Sequence, residues 1–486
     1  MKQTLGQKLL RTKTANKHEE AGSNGLARTM GLFPLTMIGV GATIGTGIFF
    51  TMAVAVPEAG PAVILSFLFA ALAAGLTALC YAELAFRIPA SGSSYSFAYA
   101  TLGEFAAFIM AACLLLEYGL AASATAIGWS DYLNNFLVHV SPDLQMPTWL
   151  RTPMIVDGKN GVEFHPGQFN LPPVLLVIMC AFLLIRGTKE SATTNAVMVL
   201  IKLAILLFFV VIAFSGFDAA NFTPFFNSDN SEGKAGMAGV AAGAALVFFS
   251  FIGLDTVATA GDEVRDPTRN VPKGILLALG IVTVFYMLVA ISAVGAQPAH
   301  MFKGQEAGLS VILENVTKSA WPAMVLSGGA IISVFSVTLV TIYGQTRILY
   351  AISRDGLIPK IFQRVSPTTL APVSNTVIVS IVVGLVAALV DSNFLWDMVS
   401  MGTLTAFMVV SVAVPVIRLR QGEVSGKGFK VPFGPYLIPA LSVLSCLYLM
   451  YGLSSTTYRV FGIVMGLALA CYFLYGMRNS RLNNGV

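Results

Sequence analysis

Between Arg28 and Glu58 lie 29 residues without a formal charge, and comparable apolar runs recur along the whole chain. A bilayer-spanning helix needs about 20 largely apolar residues, so each run of this kind is long enough to cross. Of the 486 residues, 56% are hydrophobic and 11% charged, whereas soluble domains carry charge at about a quarter of their positions. An ordinary soluble enzyme is therefore excluded. Apolar runs bounded by charges and Pro/Gly breaks mark twelve candidate helices, near 32–57, 61–88, 103–138, 172–187, 194–215, 237–261, 271–296, 321–353, 374–390, 394–417, 435–452 and 457–477.

An even number of spans puts both termini on one side of the membrane. With that side taken as the cytoplasm, 22 Lys and Arg residues fall inside and six outside (Arg151, Lys159, Lys234, Lys303, Lys318 and Arg459), with Lys202 inside a span. Basic residues collect in cytoplasmic loops, so both termini are expected in the cytoplasm and the protein in the cell inner (cytoplasmic) membrane. The net charge of +5 is explained by this asymmetry, and no nucleic-acid partner is implied. The N-terminal tail lacks an apolar core followed by a small-residue cleavage site and is expected to stay on the protein. Cys80, Cys113, Cys180, Cys446 and Cys471 fall in apolar runs without metal-site or disulfide spacing, and all five are read as core packing. The longest outer loop, near 139–171, is too short to be a domain. Function is therefore expected between the helices.

Two spans are interrupted near their centres. The first carries GATIGTG, with Gly41, Gly45 and Gly47 close to the midplane, and the sixth carries Phe249-Ser250-Phe251-Ile252-Gly253 followed by Asp255. Glycine weakens a helix where lipid offers no alternative hydrogen bonds. If helices one to five and six to ten are copies of one unit, five spans per copy force the second to insert upside down. Matching breaks in two such halves point to a transporter's substrate site, because half-helix ends present partial charges there. The same Gly41-Ala42-Thr43-Ile44-Gly45 spacing also suits plain close packing of membrane helices, and both readings stand at this point. The glycines form neither a dinucleotide fingerprint nor a P-loop, so no nucleotide cofactor is expected.

Three ionisable residues lie deep within spans: Glu117 in LLLEYGL, Lys202 in VLIKLAI and Asp255 in FIGLDTV. Such residues are costly in lipid and default to a functional hypothesis, with a structural ion pair as the alternative. At 1.5 Å rise per residue, Lys202 and Asp255 fall at similar depth and could meet. Burial favours a neutral amine, making Lys202 a candidate to take up and release a proton. Glu117 is a candidate to bind a proton or to face a cationic side chain, and Asp255 is read as a structural partner.

The segments GVGATIGTGIF (39–49), FFSFIGLDTVATAGDEVRDPTRNVPKGI (248–275) and IYGQTRILYAISRDGLIP (342–359) together resemble the cationic amino acid transporter family of the amino acid, polyamine and organocation superfamily, over roughly residues 30–478. The resemblance implies an all-α integral membrane fold of about twelve transmembrane helices: a five-plus-five inverted repeat with broken helices one and six, plus two C-terminal helices. The corresponding boundaries are a tail 1–30, a first repeat 31–216, an outer loop 217–236, a second repeat with its loops 237–430, helices eleven and twelve at 431–478, and a tail 479–486. It also implies a proton-coupled importer of L-amino acids, with no cofactor or metal, compatible with a monomer.

By the same resemblance, the substrate carboxylate is expected on the amides of Thr46 and Gly47, with Gly45 allowing close approach. The α-ammonium is expected on the carbonyls of Thr43, Phe249 and Ile252, and the Phe249 ring as a gate. Lys202 matches the lysine that stands where sodium-coupled relatives hold a cation, and Glu117 matches a favoured position on the third helix. Gly253 and the Ala121, Ala122, Ala124 group suggest either room for a side chain or close packing. The acidic and basic cluster Asp262, Glu263, Arg265, Asp266 and Arg269, with Arg347 and Arg354, is read either as inner-gate ion pairs or as a solvated loop. An exchanger and a non-transporting amino acid sensor remain as alternatives. Without HExxH, a nucleophile motif or a pair among His18, His139, His165 and His300, no enzyme is expected.

Overall fold

In the computed structural model, residues 5–13, 28–88, 93–158, 161–227, 235–303, 308–422, 428–451, 453 and 455–484 are described. Most of the basic N-terminal tail, Lys159, Lys234 and Lys427 lie outside them. The chain order is α1 (Leu5–Leu9), α2 (Leu32–Thr43), α3 (Thr46–Ala59), α4 (Val63–Arg87), α5 (Ser94–Thr101), α6 (Glu104–Val140) and α7 (Thr148–Arg151). A small hairpin follows, β1 (Ile155–Gly158) antiparallel to β2 (Gly161–Phe164). Then come α8 (Leu171–Arg186), α9 (Thr188–Ser215), α10 (Gly236–Phe248), α11 (Thr256–Thr259), α12 (Pro267–Ala296) and α13 (Gly308–Thr317). The chain continues through α14 (Ala320–Arg354), α15 (Val373–Leu389), α16 (Ser392–Gln421), α17 (Leu437–Tyr451), α18 (Ser455–Cys471) and α19 (Met477–Asn479).

Among the described residues, eight helical stretches are long and apolar enough to cross a membrane, and Leu32–Thr43, Leu171–Arg186, Val373–Leu389 and Leu437–Tyr451 are shorter apolar helices. The polarity of the surface agrees. Large apolar side chains point outward along α8 (Ile178, Phe182), α9 (Val211), α15 (Ile381) and α17 (Leu444), which water would penalise and lipid tails accept.

The centre is built by α14 and α6, with α12 packed on α4 and α16 on α6. Small residues bring backbones together where the two interrupted helices meet their neighbours. The Ser66 hydroxyl on α4 donates to the Val240 carbonyl at 2.8 Å, and a Cβ added at Gly243 would lie 2.7 Å from that hydroxyl. Cys80, Cys113, Cys180 and Cys446 are buried as expected, but Cys471 is exposed on the outer face of α18. An apolar run cannot distinguish a lipid-facing position from a core one.

Candidate functional site

The first interrupted span ends as a helix at Thr43 and resumes at Thr46. Ile44 (φ −77°, ψ 99°) and Gly45 (φ −152°, ψ −141°) leave the helical region. The second changes character one step later: α10 passes into a 3-10 turn at Phe249–Phe251, Ile252 is extended, and Gly253 takes φ +109°. Only glycine adopts that last conformation without strain. The two breaks pack against each other, because a Cβ at Gly253 would sit 2.9 Å from the Ala42 carbonyl oxygen and one at Gly47 would sit 2.8 Å from Ser250 Cα. Gly253 therefore serves close packing. Gly41 abuts the Asn195 side chain and Gly45 abuts Val337, so the GxxxG spacing both admits neighbouring helices and flanks the break.

Breaking a helix frees carbonyls, and a buried carbonyl without a donor costs about 1–3 kcal/mol. At the first break a donor comes from α9: Lys202 Nζ reaches the Gly41 carbonyl at 3.0 Å and the Ile44 carbonyl at 2.5 Å, while Asn195 Nδ2, two turns earlier on α9, braces the body of α2 at the Met37 carbonyl, 3.1 Å away. The Ser333 hydroxyl on α14 also donates to Ile44 at 3.4 Å. The Tyr286 hydroxyl on α12 stands 2.9 Å from both the Thr43 and Ser250 carbonyls, tying the two breaks together.

A cavity of about 50 Å³ lies between the breaks. Its wall includes Thr43, Gly45, Gly47, Phe249, Ile252 and Gly253 from the interrupted spans. Glu117, Tyr118, Ala121 and Thr125 of α6 also line it, as do Asp255, Val337, Thr341 and Val399. The Thr46 backbone opens α3 beside it, where the first amides of a helix have no partner within the helix. Lys202 is fully buried, behind the first break. Ala122 and Ala124 are core residues; of the three alanines, Ala121 alone faces the cavity.

Asp255 and Lys202 do not pair. Lys202 is held by the carbonyls of the first break, whereas Asp255 Oδ2 accepts from the Tyr118 hydroxyl at 2.6 Å, which also lies 3.1 Å from the Thr256 hydroxyl. Equal depth along two helices does not bring side chains to the same face. Glu117, 2% exposed, and Asp255, 3% exposed, share the cavity, and Glu117 Oε2 and Asp255 Oδ1 find no hydrogen-bond donor among the described residues. The Phe249 ring meets Trp396 of α16 edge-on, with centroids 4.5 Å apart.

The cluster at the end of the sixth span divides between the two readings: Glu263 and Asp262 are paired, whereas Arg265, Asp266 and Arg269 are exposed. Arg347 Nε binds Glu263 Oε1 at 2.8 Å, with both side chains buried, and its guanidinium lies 3.9 Å from the centre of the Tyr343 ring. Arg354 meets Asp262 at 3.3 Å in a more open setting. The two interrupted spans are also joined at this end, Met30 N donating to the Glu263 carbonyl and Arg265 N to the Met30 carbonyl. Nearby, buried Glu104 gathers Arg11, Tyr99, Tyr472 and Ser480, pinning both terminal segments to the start of α6.

Tyr286, Tyr118, Asn195 and Ser333 escaped the sequence reading. Their one signal was a hydrogen-bonding group in an otherwise apolar run, which Ser, Asn and Tyr supply at many positions without consequence.

Residues 30–475 match the amino acid permease family. The methylthioribose transporter of Bacillus subtilis is 39% identical over 96% of both chains. The branched-chain amino acid permease BcaP of the same organism is 39% identical over 95% of this chain and 96% of its own length. The vacuolar cationic amino acid transporter 4 of Arabidopsis thaliana is 36% identical over 82% of this chain and 64% of its own. By the extent of these matches, this multi-pass membrane chain belongs to the amino acid permease family.

Proposed function

We propose that the chain imports L-amino acids across the cytoplasmic membrane by proton symport, moving the interrupted spans against the remaining helices in alternating access. The reading takes twelve spans in two inverted five-helix repeats plus two C-terminal helices, divided at the boundaries given above, with both termini inside. The single observation that carries it is the cavity where the two interrupted spans meet. The positive end of α3 suits a carboxylate at the Thr46 and Gly47 amides, and the Thr43, Phe249 and Ile252 carbonyls suit an ammonium. Such a site needs no charged side chain to bind a zwitterion. Phe249, resting on Trp396, closes over it.

The names of the relatives do not fix the substrate, since one is a methylthioribose transporter and another a branched-chain amino acid permease. The walls favour a small neutral side chain: Ala121, Thr125, Val337, Thr341 and Val399 present small or apolar groups to the cavity. A cationic side chain is the second reading, supported by the unpartnered Glu117 Oε2.

For coupling, two carboxyls in one buried site without a cation between them are costly when both are charged. A proton on Glu117 or Asp255 removes that cost. Lys202 can exchange a proton without disturbing the first break: a neutral amine keeps two N–H donors, enough for the Gly41 and Ile44 carbonyls.

Uptake of labelled alanine, serine, leucine, lysine and arginine into sodium-free proteoliposomes, with and without an inward proton gradient, tests the reading. Gradient-dependent accumulation of alanine or serine is expected. Accumulation only in vesicles preloaded with amino acid identifies an exchanger, and binding without accumulation identifies a sensor.

A further inference from the structure

Trp396, Val399 and Thr403 of α16 are spaced to lie on one face of the helix, and each meets a different part of the site. Trp396 rests on Phe249, Val399 lines the cavity, and the Thr403 hydroxyl hydrogen-bonds the Glu117 carboxyl of α6. The two helices approach closely here, since a Cβ added at Gly402 would lie 3.2 Å from the Cys113 carbonyl oxygen and 3.3 Å from Glu117 Cβ. Glu117 Oε2 has no hydrogen-bond partner among the described residues, so the carboxyl leans on Thr403. That hydroxyl has a second neighbour, the Val399 carbonyl one turn earlier, 3.0 Å away. A hydroxyl has one proton to donate and two lone pairs that accept, so it cannot donate to both. The protonation of Glu117 decides between them. A protonated Glu117 donates to Thr403 Oγ, and the Thr403 proton goes to Val399. An ionised Glu117 only accepts, and Thr403 must turn its proton from Val399 to the carboxylate.

We infer that Thr403 is a positioning residue for proton release: by swinging its hydroxyl from Val399 to Glu117 it stabilises the carboxylate that the departing proton leaves behind. The inference rests on the proton-symport reading and names a residue for its release step. Asp255 at the second break, Tyr81 of α4, and Cys113 and Tyr118 of α6 are the titratable groups that face Glu117, and none of them carries a positive charge. On release, the Glu117 O–H bond breaks, its electron pair stays on the carboxylate, and the proton passes to water admitted as the site opens to the cytoplasm. Thr403 keeps its own proton throughout and changes only its acceptor. A hydrogen bond to a charged oxygen is stronger than one to a neutral carbonyl, so the swing favours release. The Val399 carbonyl keeps its backbone partner in the helix and is not orphaned by it.

The test uses the full chain in proteoliposomes, with Thr403→Val, which keeps the shape and removes the hydroxyl, and Thr403→Ser, which keeps the hydroxyl. Proton-driven net alanine uptake at several internal pH values is compared with alanine–alanine counterflow, which requires no net proton release. Thr403→Val is expected to slow net uptake at neutral internal pH by about tenfold, the effect of losing a hydrogen bond to a charged group, and to recover as the internal medium is made alkaline. Counterflow in that variant, and both rates in Thr403→Ser, should stay within about twofold of the wild type, since exchange breaks no O–H bond and serine keeps the donor. Counterflow falling in parallel with net uptake, or Thr403→Ser failing as Thr403→Val does, overturns the inference. Net uptake in Thr403→Val that matches a gradient-driven wild type at every internal pH also overturns it, and leaves the symport reading standing. Wild-type accumulation that ignores the proton gradient refutes the symport reading itself, before any variant is made, and removes the role of Thr403 with it.

Discussion

The two interrupted spans solve one physical problem in different ways. At the first, between α2 and α3, the freed carbonyls are satisfied from outside the span, by Lys202 of α9, Tyr286 of α12 and Ser333 of α14. At the second, short local turns do most of the work: Ile252 N donates to Phe249, Thr256 N to Gly253, Val257 N to Leu254 and Ala258 N to Asp255. The first break therefore depends on distant side chains, and the second on its own backbone. The second is correspondingly free to carry a titratable group, and Asp255 sits there beside Glu117. Asp255 therefore sits where the local backbone makes the turn, while Glu117 reaches the same cavity from α6.

The sharpest way to break this contrast is Lys202→Met, which preserves bulk and removes both donors from the first break. Orphaning the buried Gly41 carbonyl, at about 1–3 kcal/mol, and leaving Ile44 with Ser333 alone should reduce uptake to background and weaken alanine binding; near-normal binding and uptake would show that the first break does not need Lys202. Gly253→Ala tests the local solution at the second break. Its φ of +109° and its contact with Ala42 predict a cost of about 1–3 kcal/mol, read as an affinity loss of roughly tenfold, while thermal stability in detergent reports whether the fold survives. Tyr286→Phe removes a hydroxyl shared by both breaks. An effect of about 1 kcal/mol, or about fivefold in affinity, is expected by ligand titration, and no change would mean that the breaks are positioned independently. Arg354→Ala should matter least. Its pair with Asp262 is partly exposed, such pairs contribute about 0–1 kcal/mol, and initial uptake should change by less than about threefold.

Helix positions were legible because an apolar run of about 20 residues suits little besides a membrane span. The candidate near 61–88 is the helix Val63–Arg87, and the one near 374–390 is Val373–Leu389. Gly41, Gly45 and Gly47 gave away the first break, and charges in apolar context gave away Lys202 and Glu117. Partners were not legible. The expected meeting of Lys202 with Asp255 failed because depth was counted along each helix while the facing direction was unknown. Tyr286 acts on carbonyls of residues 243 and 36 positions away, a relation that no local pattern encodes. The same holds for Glu104, which joins Arg11 to Ser480 across nearly the whole chain. The short helix α5 and the β1–β2 hairpin also passed unnoticed, since neither is long or apolar enough to stand out.

The central claim is that a buried carboxyl beside the cavity carries the coupled proton. It is tested most directly by recording external pH in a lightly buffered suspension of proteoliposomes as alanine is added, for the wild type and for Glu117→Gln. The account predicts alkalinisation of the medium with the wild type, and alanine–alanine exchange without alkalinisation with Glu117→Gln. Equal alkalinisation in the two proteins, or none in a wild type that accumulates alanine, would contradict it.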